Sequence, residues 1–544
     1  MRKPGMYKLR YVLFLLVFCA VSAGARGQQL SNSVQFTVAK IVARENEEMK
    51  LIQHYSPVVE TYIQRAKPNL HGDWEPDGDH YFIGRAEFAQ GLDVESLDPR
   101  HPGLLGRFTG KVSKVFEFET AFVPRGFLQM IYVDEGGLSP ANYKFDYVRQ
   151  EFLGDVRTLV FDVTPTKKGK KGRFMGRIWA EDRTFTIVRF NGTYAGKASN
   201  STFHFDSWRM NVGPNVWLPA AIYSEENPIK MFAKKAEQYK AQTRLWGYNS
   251  AHGNQETELA KVLVESSSPI KDQSKTNNDL SPLQEQREWN RQAADNVIDD
   301  LQRMGLVAPK GDVDGVLDTV VNNLEVTNNL NLEPEVHCRV LMTSTMESFT
   351  IGHTIVLSRG LIDVLPDEAT LAAMLAQNLG RVMLASREDS QFAFYDRLMR
   401  LSDAQTLQLF DLKGTQAEDQ AASAKAAELL KNSPYKGQLR AAGMFMAVLR
   451  QRSAQIPSLI NPRLGDAVFD TSVVAADTED KPSANEIVAL PLGGRVKIDP
   501  WSDDLKMLKS APVGNVSERD KMPFQITPFM LYLTRQENPV PKAS

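Results

Sequence analysis

Residues 371–384 have the sequence LAAMLAQNLGRVML, and this stretch decides how the second half of the chain is expected to fold. Its apolar residues recur at the three- and four-residue spacing of one buried helical face: Leu371, Met374, Leu375, Leu379, Val382 and Met383. Three polar residues, Gln377, Asn378 and Arg381, lie inside this apolar pattern. The spacing therefore predicts a buried helix that carries three polar side chains in its middle.

The sequence before this helix allows a comparison with a known family. From residue 348 it runs SFTIGHTIVLSRGLIDVLPDEATLAAMLA, followed by QNLGR. This succession of strand, short helix, acidic turn and apolar helix resembles the approach to the zinc helix in metallopeptidases of the HtpX, BepA and CAAX prenyl protease type. That family carries His-Glu-x-x-His where Gln377, Asn378 and Arg381 stand here. The resemblance covers residues 282 to 466 and implies a mainly helical, zincin-like domain at 281–466.

The three replacements remove the chemistry of a zinc peptidase. Histidines at i and i+4 bind one zinc ion from one helical face, and the glutamate after the first histidine is the general base. Gln377 offers a neutral amide oxygen, Asn378 has no titratable proton, and Arg381 is a permanent cation without a free lone pair. No two of the eight histidines are four residues apart. We therefore expect no catalytic residues, no cofactor and no bound zinc.

The resemblance also implies a third zinc ligand, which is a glutamate on a later helix. Asp419 stands at the best-matching position, and Glu418 fits if the register shifts by one residue. In the geometry of the family, this carboxylate and residue 381 face the same point. We expect Arg381 to form an ion pair there with Asp419 or Glu418. The alternative is that these are solvated charges on separate helices.

The strand that precedes the helix predicts a binding edge for an extended peptide. Phe349, Ile351, His353 and Ile355 alternate along it, and an exposed strand edge can accept another chain by strand addition. The main interpretation is therefore a catalytically inactive, metallopeptidase-like protein that binds or scaffolds envelope proteins or lipoproteins. An active zinc peptidase with atypical ligands is the least favoured alternative, because it requires a metal site without a histidine pair.

Between residues 106 and 249 the apolar pattern changes to a period of two, which is typical of an antiparallel sheet or barrel. The succession of aromatic strands resembles the half-barrel of LolA-type lipoprotein-sorting proteins. That resemblance implies a curved antiparallel sheet whose apolar face holds a lipid or lipoprotein; alternatively, the aromatic side chains fill a closed core. The predicted strands are Val112–Val123, Phe127–Val133, Tyr143–Tyr147, Thr158–Thr164, Arg173–Glu181, Phe185–Tyr194, Phe203–Asn211 and Trp217–Glu225.

The remaining segments set the predicted domain limits of this chain of 544 residues. Residues 1–25 have a basic start, a short apolar stretch and small residues at the end, which is the pattern of a secretory signal peptide. We expect a helical segment and an excursion at 26–105, with residues 34–67 helical and interrupted at Pro57. A polar linker is expected at 250–280. An irregular extension at 467–544 should pack back on the domains.

The composition of the chain bears on the partners and the cellular location that we expect for the protein. The net charge of −2 gives no attraction for nucleic acid, and no later stretch is apolar enough for an integral membrane protein. Cys338 is the single cysteine after the signal peptide, and we expect it in the core. The predicted fold class is α+β and multidomain, and the predicted location is the periplasm. A lipid or lipoprotein carrier that acts through the β domain is the alternative function.

Overall fold

The computed structural model describes residues 33–68, 74–88, 92–99, 127–166, 172–195, 203–226, 237–248, 282–384, 401–410, 412–468, 496–498, 505–507, 524–528 and 531–536. We call the described residues from 33 to 248 the sheet lobe and those from 282 to 468 the helical lobe. No helix in these ranges is long and apolar enough to cross a membrane.

The described part of the sheet lobe contains one long helix, a short helical segment at 127–131 and ten strands. The long helix and the strands are α1 (33–52), β1 (Val58–Pro68), β2 (Trp74–Glu87), β3 (Asp93–Ser96), β4 (Tyr143–Leu153), β5 (Val156–Pro165), β6 (Arg173–Glu181), β7 (Ile187–Ala195), β8 (Phe203–Gly213), β9 (Val216–Glu226) and β10 (Gln238–Trp246). All ten strands join one sheet in the order β3-β2-β1-β10-β9-β8-β7-β6-β5-β4, and every pairing in it is antiparallel. This order has two ends, so the described strands form an open sheet.

The predicted helix at residues 34–67 is wrong beyond residue 52. The helix ends there, and β1 begins directly after Pro57. Proline has no N–H group and disfavours helical backbone in the residue before it, so it separates the two elements. Val58 and Ile63 are β-branched and suit a pleated surface better than a helix.

One further strand prediction is wrong, and strand β10 was not predicted. Phe127–Val133 is not a strand, because residues 127–128 are helical and Gln129–Ile131 form a short 3-10 helix. The sequence also gave no indication of β10, which pairs with β1 from a distant part of the chain. The candidate strand Val112–Val123 lies outside the described residues. Five of the other predicted strands are confirmed as β5 to β9. The predicted strand Tyr143–Tyr147 is confirmed as the first half of β4.

The two faces of the sheet pack against different partners. Side chains alternate between the faces along each strand, so Ile63 of β1 faces α1 whereas Val58 faces the helical lobe. We call the buried apolar surface between the sheet and α1 the α1 face. Ile41 of α1 is fully buried in it.

A second apolar cluster, which we call the tryptophan cluster, lies at the far end of the opposite face. It contains Trp179, Trp208 and Trp217, and Leu533 from the C-terminal extension completes it. The guanidinium of Arg189 lies between two of these rings, 4.4 Å from the ring centre of Trp179 and 4.3 Å from that of Trp208. The expectation that the extension packs back on the domains is therefore confirmed for Leu533.

The helical lobe contains eight helices and a small sheet within its described residues. They are α2 (Pro282–Arg303), α3 (Asp312–Thr327), β11 (His337–Leu341), β12 (Glu347–Ile351), β13 (Thr354–Ser358), α4 (Arg359–Val364), α5 (Glu368–Met383), α6 (Asp403–Leu409), α7 (Gln416–Lys431), α8 (Leu439–Arg452), α9 (Pro457–Ile460) and β14 (Asp466–Ala467). The sheet has the order β11-β13-β12-β14. Cys338 on β11 is buried, as predicted.

Helix α5 is the predicted buried helix, and it runs through the centre of the helical lobe. Asp367 caps its N-terminus, where its carboxylate accepts the backbone N–H of Thr370 at 2.8 Å. Gly380 allows α7 to approach closely, since a Cβ atom there would lie 2.7 Å from the carbonyl oxygen of Ala422. The α+β class and the open antiparallel sheet are thus established, while the zincin-like assignment of this lobe stays a prediction.

Candidate functional site

The three polar residues of α5 are all buried, and one of them, Asn378, contacts β12. Asn378 donates from its side-chain amide to Ser348 Oγ at 3.1 Å and to the carbonyl of Met374 at 2.9 Å. Gln377 and Arg381 are also buried. The side chain that stands in the general-base position is therefore used as a structural hydrogen-bond donor between a helix and a strand.

Arg381 forms the centre of a charged cluster at the position that the resemblance gives to zinc. Its Nη2 donates to Asp419 Oδ1 at 2.7 Å, so the expected ion pair is present. Its Nη1 lies 3.5 Å from Asp466 Oδ2 and donates to Asn378 Oδ1 at 3.1 Å. The sequence did not predict Asp466 as a partner. The side chain of Glu418 caps the start of α7, where it accepts hydrogen bonds from the backbone N–H and the hydroxyl of Thr415.

The two carboxylates of this cluster already share a cation, the guanidinium of Arg381. The guanidinium of Arg381 already satisfies Asp419 and Asp466, and it would repel a cation placed between them. Within the described residues, no group of three or more His, Cys, Asp or Glu side chains is placed to hold a metal. Whether the protein binds zinc remains a prediction with a direct test.

The predicted peptide-binding edge is only partly at an edge. Ile355 lies on β13, which pairs with β11 on one side and with β12 on the other. The prediction that a peptide strand adds beside Ile355 is therefore wrong. Phe349 on β12 is fully buried, and β14 pairs with β12 at Glu347 and Ser348. Ile351 and His353 lie half-buried at the end of the β12–β13 hairpin.

The α1 face carries the largest concentration of aromatic side chains in the sheet lobe. We call six of them the aromatic cluster: Phe127, Phe174, Phe190, Tyr194, Phe203 and Phe205. Room for Phe174 comes from Gly176 and Gly192, which face each other on β6 and β7. A Cβ atom at either glycine would lie 2.9 Å from the Phe174 ring. These two glycines let a ring lie flat across the strands.

Helix α1 is held on this face by buried charges. Glu45 accepts two hydrogen bonds of 2.7 Å from Arg209 of β8, which also donates to the carbonyls of Ile187 and Ile131. Burial raises the pKa of Glu48, one turn further along α1, to about 7, although Arg209 and Arg44 oppose the shift. The polar anchor of α1 therefore contains one carboxyl group that titrates near neutral pH.

The two lobes meet through a buried polar interface. Glu60 of β1 accepts hydrogen bonds from Arg359 at 3.1 Å, from Ser344 Oγ at 2.7 Å and from the Tyr81 hydroxyl at 2.7 Å. Asp79 of β2 accepts the backbone N–H groups that begin α9, and burial raises its pKa. No pattern in the sequence pairs these residues, since 299 positions separate Glu60 from Arg359.

A cleft of about 200 Å³, lined mainly by polar and charged residues, lies at the end of the sheet, away from the aromatic cluster. It is formed by the β6–β7 and β8–β9 turns and by the C-terminal extension. Glu181 at its base accepts hydrogen bonds from Arg535 and Thr184, so its charge is already paired. This cleft is unlike the apolar cavity that a lipid carrier would need.

Solved structures of other proteins match the β region of this chain. No known family matches the sequence, and no curated protein matches it. A LolA superfamily protein from Nitrosomonas europaea is 15% identical over 37% of this chain and 90% of its own, with a TM-score of 0.17. A DUF1329 family protein from Desulfovibrio piger is 11% identical over 38% of this chain and 90% of its own, with a TM-score of 0.20. These TM-scores are too low to support an argument about function.

Proposed function

We propose that this protein is a non-catalytic binding protein of the cell envelope, which holds an acyl chain of a lipid or lipoprotein on its α1 face. The observation that carries the proposal is the aromatic cluster, which lies on one face of an open sheet and is covered by α1 and by the segment 127–133. The opposite face is already used by the helical lobe and the tryptophan cluster. An open sheet also allows its covering helix to move without breaking a closed barrel.

The α1 face is filled by side chains of α1 in the described conformation. Ile41 and Ile52 are fully buried there, so an acyl chain can bind only by replacing them. Such an exchange preserves most of the apolar burial, because the ligand supplies the contacts that α1 gives up. The free-energy cost of this exchange comes from breaking the polar contacts of α1.

Arg44 is a polar contact of α1 whose removal leaves the buried Arg209–Glu45 pair in place, while it takes an ion-pair partner at 2.8 Å from Glu48. It donates to the carbonyl oxygen of Asn215 at 2.6 Å and to Thr186 Oγ1 at 3.1 Å, and its side chain is 25% exposed. If ligand binding requires α1 to move, then loosening this contact raises the population of the binding-competent state. The variant Arg44→Ala should therefore bind an apolar ligand more tightly.

The test has two parts. Protein purified from its native host is extracted with organic solvent, and mass spectrometry is used to search the extract for acyl lipids. The purified protein is then titrated with a fluorescent fatty acid that palmitate can displace. We expect a co-purified acyl lipid, saturable probe binding, and about three- to tenfold tighter binding in Arg44→Ala.

The matched control is Arg157→Ala. Arg157 pairs with Asp182 between two sheet turns and does not contact α1 in the described structure, so its removal should leave probe binding unchanged. The proposal fails if no lipid is extracted and neither the wild type nor Arg44→Ala shows saturable binding. Equal tightening in Arg157→Ala would instead point to general loosening of the fold.

A second candidate function is a non-catalytic peptide scaffold in the helical lobe. Two observations favour it: Arg381 and its carboxylate partners fill the position that resembles a zinc site, and β12 extends beyond the short pairing with β14. An extended peptide could add beside Ile351, where the outer side of β12 has no strand partner among the described residues.

This second candidate is tested with denatured casein and added zinc. We expect capture of casein without hydrolysis, and weaker capture by Ile351→Asp. Leu384→Asp is the control, since Leu384 is another apolar residue of the same lobe and is 44% exposed. Hydrolysis that a chelator abolishes would show an enzyme, and absence of capture would remove the scaffold function.

We also propose that the protein is exported and acts in the periplasm. The support is the signal-peptide pattern of residues 1–25 and the apolar ligand proposed above. Fractionation of cells that produce the chain with a C-terminal tag, together with N-terminal sequencing, tests this. A tagged protein that stays in the cytoplasm with its N-terminus uncleaved would contradict it.

A further inference from the structure

We propose that β4 is a dimerisation edge, at which two copies of this chain pair their β4 strands antiparallel around a two-fold axis. Strand β4 ends the ten-stranded sheet and pairs on one side with β5. On its other side, no strand among the described residues pairs with it. An unpaired edge presents backbone N–H and carbonyl groups that another strand can use.

A β-bulge at Val148 decides which side chains share a face of β4. The register with β5 shifts between Tyr147 and Arg149, so one extra residue is inserted and the alternation restarts. As a result the four charged residues of the strand lie on one face: Lys144, Asp146, Arg149 and Glu151. Glu151 marks this face, because it accepts a hydrogen bond of 3.1 Å from Trp179 Nε1 in the tryptophan cluster.

The order of these charges is self-complementary. Consider the register in which Tyr147 faces Val148 of the second copy. Lys144 then faces Glu151 of the second copy, and Asp146 faces Arg149 of the second copy. Both pairings join opposite charges, and the two-fold axis repeats each of them. They add to the ion pairs that the strand already makes within itself, Lys144 with Asp146 and Arg149 with Glu151.

Neighbouring registers are disfavoured by the same charges. A shift of two residues in one direction places Asp146 opposite Glu151, and a shift in the other direction places Lys144 opposite Arg149. Like charges directly opposite each other on antiparallel strands are destabilising. The charge order therefore favours this register over the two registers that are shifted by two residues.

The other face of β4 supplies apolar contact. Phe152 is 67% exposed and Tyr147 is 47% exposed. In the selected register, Phe152 lies opposite Tyr143 of the second copy, whose own ring is buried in its sheet lobe, and Tyr147 of each copy lies next to the axis. Exposed aromatic residues on an unpaired edge favour association, and the two-fold pairing would cover them.

The experiment measures the mass of the mature chain in solution by sedimentation equilibrium over a wide range of concentration. We expect a dimer in the wild type. Asp146→Arg and Arg149→Asp each place like charges across the axis and should weaken dimerisation about tenfold or more. The double variant Asp146→Arg/Arg149→Asp restores opposite charges with their order reversed, and it should return the dissociation constant to within about threefold of wild type.

The control is Glu428→Arg, which reverses an exposed charge in the helical lobe. It should leave the dimer unchanged, and circular dichroism should show that all variants are folded. A monomeric wild type at every concentration would overturn the proposal. A dimer that withstands both single reversals, or a double variant that stays as weak as the single ones, would also overturn it.

Discussion

Arg209 of β8 and Glu45 of α1 form a bidentate ion pair, with two N–O distances of 2.7 Å, and neither side chain is exposed to solvent. The two residues are 164 positions apart in the chain. The guanidinium also donates to two backbone carbonyls, so most of its hydrogen-bonding capacity is used. This pair fixes where α1 lies on the sheet.

Removal of one member of this pair should be strongly destabilising. Glu45→Ala leaves Arg209 buried without its counter-charge, and the loss of one partner of a buried pair costs about 3–5 kcal/mol. Urea unfolding should show this decrease in the free energy of unfolding. Glu47→Ala is the control, because Glu47 is 66% exposed and its removal should change stability little.

The double variant Glu45→Met/Arg209→Met gives a sharper test of the same pair. Replacing both members with apolar residues of similar length removes the uncompensated charge, so it should recover most of the stability that Glu45→Ala loses. If the double variant is no more stable than Glu45→Ala, the packing of α1 and not the charge pair determines its docking.

Glu48 should make stability depend on pH in the direction opposite to that of a surface carboxylate. Burial raises its folded-state pKa from 4.5 to about 7, so the folded protein binds this proton more tightly than the unfolded chain does. The contribution of Glu48 is therefore fully favourable below pH 4.5 and is lost as the pH rises through 7. The largest loss is about 3 kcal/mol.

The variant Glu48→Gln isolates this effect, because glutamine has nearly the same shape and no charge. Its free energy of unfolding should rise relative to wild type between pH 4.5 and 7 and exceed the wild-type value above pH 7. Unfolding curves of both proteins across that range provide the measurement, with Glu47→Gln as the exposed control. A difference between the two proteins that does not change with pH would contradict the prediction.

Gly192 should not tolerate alanine. A Cβ atom there would lie 2.3 Å from the carbonyl oxygen of Met175 on the neighbouring strand, a contact that only backbone movement can relieve. We expect a loss of about 1–3 kcal/mol or more, as for other overpacked positions. Gly213→Ala is the control, since no atom lies within 4 Å of the added methyl group there. Thermal unfolding of the two variants measures the difference.

Glu60 should hold the two lobes in one cooperative unit. Its replacement by alanine leaves Arg359, which is fully buried, without this partner. We expect a loss of about 3–5 kcal/mol and a separation of the calorimetric transition into two. Glu428→Ala, at an exposed ion pair in the helical lobe, should keep a single transition. Two transitions in the wild type would show that the lobes already unfold independently.

Zinc content tests the prediction for α5. After exposure to zinc and gel filtration, elemental analysis of the wild type should find well under one equivalent, because Arg381 places a cation between Asp419 and Asp466. One full equivalent that disappears in Asp419→Ala would show that these carboxylates bind metal and would reopen the question of catalysis.

The sequence predicted those features that depend on local periodicity. The helical spacing at 371–384 gave α5, and the alternation at Arg173–Glu181 gave β6 with the same limits as in the structure. The ion pair of Arg381 with Asp419 followed from the family resemblance and is present. Strand β1 was mistaken for helix, because its apolar residues lie next to a true helix and its partner strand β10 is far away in the chain.

The sequence by itself determined strands β5 to β9, helix α5 with the chemical character of its polar residues, and the charge order of β4, because each depends on residues within about ten positions of one another. Only the tertiary structure decided which charges meet. Asp466 reaches Arg381, Arg209 reaches Glu45 and Glu60 reaches Arg359. A buried ion pair is selected by geometry in the folded chain, where a missing partner is costly, and no short-range pattern records it. The position of α1 on the sheet, and with it the proposed binding surface on the α1 face, is therefore set only when the chain folds.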